Sequence, residues 1–209
     1  MKPDNKFFSF MSLVGDLILL NILFIVTSIP IVTLGISFSA LYASVQKRIR
    51  GKESYVIKDY FSLWKSNARN GLILWLILLP FLAAMLFFTI YIAGHLTSLI
   101  PLCLYFILFI ILAFVLAYVF PLQATFINTP LNLLKNSLLT ALAHLPYTLA
   151  LIFIISIPIC VTLYFPAVFY YTFAYWVVLG FSITAVISVL ITERVFRHYM
   201  ADEGTDFDI

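Results

Sequence analysis

The chain has 209 residues, of which 64% are hydrophobic and only 10% charged, and its formal net charge is +3. A water-soluble domain carries roughly 25% charged residues because its surface must face water, and 21 charged side chains cannot cover such a surface. That excludes a soluble globular protein and leaves an integral membrane protein. Its basic residues flank apolar runs, so the positive balance reads as anchoring to an anionic leaflet and not as nucleic-acid binding.

Lys2 and Lys6 precede the first apolar run, Leu13 to Ile29. The run passes signal-peptide length without a small-residue cleavage site, so it is expected to stay in the mature protein as a span. The stretch "TSIPIVTLG" (27–35) then interrupts the apolar sequence. Pro30 biases Ile29 away from helical angles, Gly35 tolerates angles that other residues avoid, and Thr33 can cap a returning helix. The next run, 31–46, covers about 24 Å against a hydrocarbon core of about 30 Å. The basic stretch "KRIRGK" after it can snorkel to the headgroups. Ser37, Ala40 and Ser44 lie about one turn apart on this run and invite close approach of a neighbouring helix.

Beyond Gly51, Ile57, Tyr60, Phe61 and Trp64 recur at helical spacing over 55–69, which predicts an amphipathic helix at the inner interface. Trp64, Lys65 and Arg69 are its expected anchors. Runs at 71–93 and 99–120 each reach spanning length, joined by a link that carries no lysine or arginine. A second interfacial helix is predicted over 130–144, with Leu131, Leu134, Leu138 and Leu142 in one stripe and Lys135 as an anchor. Asn128 or Thr129 is its expected cap, ahead of Pro130. Two further spans, 145–165 and 169–191, share a short uncharged link, and the acidic residues 201–209 read as a disordered tail. The segments at 63–72 and 133–142 resemble each other loosely, as an internal repeat would.

Charge placement sets the topology. If the chain turns at 30–35, all twelve lysines and arginines fall on one face and none on the other. The positive-inside rule then puts both termini in the cytoplasm. The predicted fold is an all-α polytopic bundle forming one domain, 1–209. It has six spans in three hairpins and two interfacial helices.

The blocks "GDLILLN" (15–21), "SIPIVTLGISFSALY" (28–42), "KDYFSLWKSNARNG" (58–71), "PLNLLKNSLLTALAHLP" (130–146) and "ERVFRHYM" (193–200) resemble, in order, the YesL-like family of bacterial membrane proteins. That resemblance implies a multi-pass plasma-membrane protein, mainly of Gram-positive bacteria, associated with carbohydrate uptake and utilisation. It implies no catalytic residues, because the family has no established biochemical activity. The expected function is a non-enzymatic accessory or regulatory component. Its expected partners are the anionic inner leaflet and either a sugar permease of the ABC type or a second copy of the chain. The alternative is a small secondary transporter acting as an oligomer.

Few residues carry chemistry. Asp16 is the only acid within an apolar run, and two roles fit it: pairing with Lys6 or the basic stretch after the second run, or coupling an ion to transport. Asn21 lies about 140° from Asp16 on a helical wheel, so it is expected to bond across to another helix. Pro30, Thr33 and Gly35 mark the turn. Pro80 and Pro158 interrupt spans, as at binding sites in some transporters. His95, His144 and His198 form no set at metal spacing, and neither a metal nor a cofactor is expected. Cys103 and Cys160 read as small buried hydrophobes. Tyr55, Tyr118 and Trp176 read as interfacial aromatics.

Overall fold

The computed structural model describes residues 6–51, 55–94, 99–165 and 169–202. Helix α1 (Lys6–Ser28) is followed by a short 3-10 turn (Ile31–Thr33) and α2 (Leu34–Ile49). Then come α3 (Val56–Gly94), α4 (Leu99–Thr125), α5 (Pro130–Ala143), α6 (Leu145–Tyr164), α7 (Phe169–Tyr175), a π-helical turn (Trp176–Gly180) and α8 (Phe181–Asp202). No strand occurs among the described residues, so the chain is the all-α polytopic bundle its sequence predicts. Five segments are long and apolar enough to cross a bilayer: Phe10–Ser28, Val56–Ile92, Leu99–Thr125, Leu145–Leu163 and Phe169–Arg197. In hydrocarbon every backbone polar group needs an internal partner, and continuous helices supply it.

Helix α2, where the second of the six spans is predicted (31–46), has 16 residues and falls below that length. It is the most enclosed element. Gly35, Ile36, Ser37 and Ser39–Gln46 are all buried, with α1, α3, α4 and α8 packed around them. Helices approach closely where α2 crosses α3. A Cβ on Gly35 would sit 2.5 Å from the Gly71 carbonyl oxygen and 2.6 Å from Trp75 Cβ. Gly35 is therefore required for close packing. It does not adopt a left-handed angle; among the described residues Gly51 has positive φ, 67°.

Two boundaries differ from the sequence reading. The expected break between an interfacial helix at 55–69 and a span from 71 does not occur, because α3 runs continuously through both. Two of its asparagines in "KSNARNG" are engaged by neighbouring segments: Asn70 Nδ2 donates to Asn128 O at 3.2 Å, and Gln123 Nε2 donates to Asn67 O at 3.5 Å. Because α2 meets α3 at Gly71, the α1–α2 turn flanks the middle of α3. Helix α3 continues 23 residues further, about 34 Å at 1.5 Å per residue.

The turn itself also differs. Thr33 stands at the N-cap position of α2 but makes no side-chain cap bond. Its hydroxyl donates backward to Thr27 O (2.6 Å) and Pro30 O (2.7 Å), tying off the end of α1. Pro30 adopts an extended conformation, and Ile29, Ile31 and Val32 are exposed. At α5, by contrast, Thr129 caps as expected and accepts from Asn132 N at 3.4 Å. Cys103 and Cys160 are free, but exposed and not buried: in a bilayer the outer face of a bundle is apolar too. Tyr118 is fully buried, where Thr148 Oγ1 donates to its hydroxyl at 3.2 Å, so it is no interfacial aromatic. The predicted tail 201–209 lies almost wholly outside the described residues, as does His95.

Candidate functional site

Three features stand out: an ion-pair cluster at the C-terminal end of α2, a π turn held by an amide of α1, and a cavity toward the N-terminal half of α2.

The last turn of α2 carries Lys47 and Arg48, with Arg50 at its C-cap. Cations are favoured there by the unpaired carbonyls of a helix end. Each reaches a different helix. Arg48 pairs with Asp16 of α1 (3.1 Å), Lys47 with Asp59 of α3 (2.9 Å) and Arg50 with Glu193 of α8 (2.9 Å). All six side chains are partly exposed, so each pair contributes about 0–1 kcal/mol. Their chief effect is to fix which helices meet α2 and at what height. Of the two partners expected for Asp16, Lys6 or the basic stretch 47–52, the structure shows Arg48 of that stretch. Lys65, Arg69 and Lys135 are exposed, as anchors would be, whereas the Trp64 ring packs against the core.

Asn21 has no exposed surface. Its Nδ2 donates to Trp176 O (3.0 Å) and Val177 O (2.7 Å), and its Oδ1 accepts from Phe181 N (3.0 Å) and Ser182 N (3.1 Å). In an uninterrupted α-helix, Phe181 N would bond to Val177 O and Ser182 N to Val178 O. The wider π turn shifts that pairing to i→i+5, and one side-chain amide from another helix adds a bond to each of four backbone groups. Such turns often occur at functional sites. Gly180 is needed here as well, since a Cβ on it would lie 2.7 Å from Trp176 Cε3. The sequence marks Asn21 as a cross-helix donor; the π turn, hidden in the apolar "WVVLG", has no comparable sequence signal.

Redirected by this turn, the Trp176 indole donates to Thr162 Oγ1 at 2.9 Å and forms part of a cavity wall. The cavity has a volume of about 520 Å³. Phe38, Leu41 and Tyr42 of α2 line one side, Trp75 and Leu82 of α3 and Leu116 and Phe120 of α4 another. Residues of α6 and α8, among them Ile159, Leu163 and Ala185, complete it. Nearly all its surface is apolar. Trp75 is 8% exposed, and its Nε1 is buried without a hydrogen-bond partner. Among the described residues, no group of three His, Cys, Asp or Glu could hold a metal.

Residues 17–91 match a family described as "Protein of unknown function, DUF624". The match runs from Leu17 through the α1–α2 turn and the Gly35–Gly71 crossing to Tyr91. It takes in Asn21 and Trp75 but neither the π turn nor the α6 wall of the cavity. It spans little more than a third of the chain. No curated protein and no solved structure matches the chain.

Proposed function

We propose that the protein is a non-enzymatic, multi-pass component of the plasma membrane, with both termini cytoplasmic, that serves carbohydrate uptake or utilisation in an accessory or regulatory role. The carbohydrate setting rests on the resemblance to YesL-like proteins of Gram-positive bacteria. The orientation rests on all twelve lysines and arginines falling on one predicted face. Its partners on this reading are the anionic inner leaflet and an ABC-type sugar permease or a second copy.

One observation carries the choice of an accessory role over a carrier. Asp16, the acid that an ion-coupled carrier would need, is engaged by Arg48 at 3.1 Å, at the same end of α2 as the other two described ion pairs. The cavity between the helical hairpins is almost wholly apolar, which suits neither a sugar nor an ion. The runner-up, a small secondary transporter, draws on that same cavity and on Pro158, which sits inside α6 beside the lining residue Ile159.

Asp16→Asn separates the two. An accessory role predicts normal assembly on detergent gel filtration and undiminished sugar-dependent growth. Normal assembly with gradient-driven uptake abolished would establish the transporter instead. Copurification from native membrane with a permease subunit is the direct test of the partner.

A further inference from the structure

We propose that the cavity between the α3–α4 and α6–α8 hairpins is a binding site for one acyl chain of a membrane phospholipid. The inference stands apart from the accessory role and does not depend on it.

Three observations carry it. The cavity, about 520 Å³, is within the size range of ligand pockets and far beyond the voids that close-packed interiors leave. Its lining comes from α2 and from helices long and apolar enough to span a bilayer, and apolar cavities exclude water. Its rim includes Leu163, 72% exposed, and Ile159, 43% exposed. Both are on α6, so the mouth opens laterally, where lipid chains are the surrounding solvent.

The location also selects the leaflet. Phe38, Leu41 and Tyr42 lie on the N-terminal side of the ion-paired turn of α2, so the site belongs to the leaflet away from the charged end. A phospholipid entering between Leu163 and the α3–α4 hairpin would place its chain against Trp75 and Phe120. Its headgroup would remain at the uncharged face.

Tryptophan quenching tests this. The chain has three tryptophans, and Trp64→Phe with Trp176→Phe leaves Trp75 alone. The protein is placed in nanodiscs of phosphatidylcholine brominated midway along its chains, with unbrominated lipid as reference. Trp75 is too enclosed to meet the general lipid annulus, so loss of most of its emission is the expected result. Ala185→Phe, which fills the cavity, should restore that emission; if it fails to assemble, Leu116→Phe narrows the same cavity from α4. Native mass spectrometry should find one phospholipid retained on the parent chain and absent from the filled variant. Unquenched Trp75 emission, or equal quenching with the cavity open and filled, would overturn the proposal.

Discussion

Asn21→Leu removes the amide that spans the π turn while keeping a side chain of similar size. Four backbone groups, Trp176 O, Val177 O, Phe181 N and Ser182 N, then lose their bond to it. Interhelical hydrogen bonds in membranes average about 0.6 kcal/mol, because the unfolded state in lipid also finds partners; four of them set a floor near 2 kcal/mol. A buried group left unpaired costs about 1–3 kcal/mol. If the helix relaxes toward α geometry and re-pairs two of the four, the remaining two set a ceiling near 6 kcal/mol. We therefore expect a loss of about 2–6 kcal/mol. Reversible unfolding in mixed micelles, followed by helical circular dichroism against rising anionic detergent, measures it. Ile22→Ala, at the neighbouring exposed position, is the control.

Asn21→Asp sharpens the test. Its carboxylate still accepts from Phe181 N and Ser182 N, but presents negative charge to the Trp176 and Val177 carbonyls. It should be less stable than the parent at neutral pH. Stability should recover as the pH falls, because the protonated carboxyl regains one donor. If Asn21→Leu lies within about 0.5 kcal/mol of the parent, the range of an ordinary surface change, the amide is not what holds the π turn.

Gly35→Ala should force α2 and α3 apart, since the new Cβ would meet the Gly71 carbonyl and Trp75 Cβ, neither of which can swing away. A loss of about 1–3 kcal/mol, as for overpacking elsewhere, is expected in the same detergent titration; an unchanged midpoint would refute the close crossing. Thr129→Ala should cost only about 0.5 kcal/mol, the low end for caps, because its bond to Asn132 N is long at 3.4 Å. In a chain lacking Cys103 and Cys160, Gly94→Cys should react with an impermeant thiol reagent outside intact cells, and Gly51→Cys should not. Val32→Cys should react more slowly than Gly94→Cys, because its turn stops level with the middle of α3. Labelling of Gly51→Cys alone would reverse the orientation.

What the sequence made legible was whatever local chemistry or charge decides. The cap and proline at 129–130 start α5, and Asp16 pairs with the basic end of α2, whereas the pairs to Asp59 and Glu193 had no such signal. Less legible was whatever depends on two distant segments meeting. Polar "KSNARNG" reads as a boundary on its own; in the bundle its amide groups meet Asn128 and Gln123, and the helix continues. Gly35 reads as a turn residue until Gly71 and Trp75 are brought against it. Tyr118, in an apolar run, reads as an interfacial anchor until Thr148 supplies a buried partner. The π turn is the extreme case. Nothing in "WVVLG" departs from an ordinary span, and only an amide 155 residues away in sequence makes the wider turn affordable in lipid.

The shortness of α2 connects the charged cluster with the cavity. The ion pairs engage the last turn of α2 and fix α1, α3 and α8 at that level. From there the helix rises only to Leu34, where Gly35 meets Gly71 and the turn back to α1 begins. The α3–α4 hairpin runs on past that point with no further α2 beside it. The largely exposed residues 81–91 and 99–111 show how little protein covers it there. A full-length span would occupy the space between this hairpin and α6, and would bring its own side chains against Leu82, Leu116 and Ile159. Stopping short leaves that space to the cavity. It also leaves the hairpins held firmly at the charged end and only lightly at the other, where a lipid chain needs them to part.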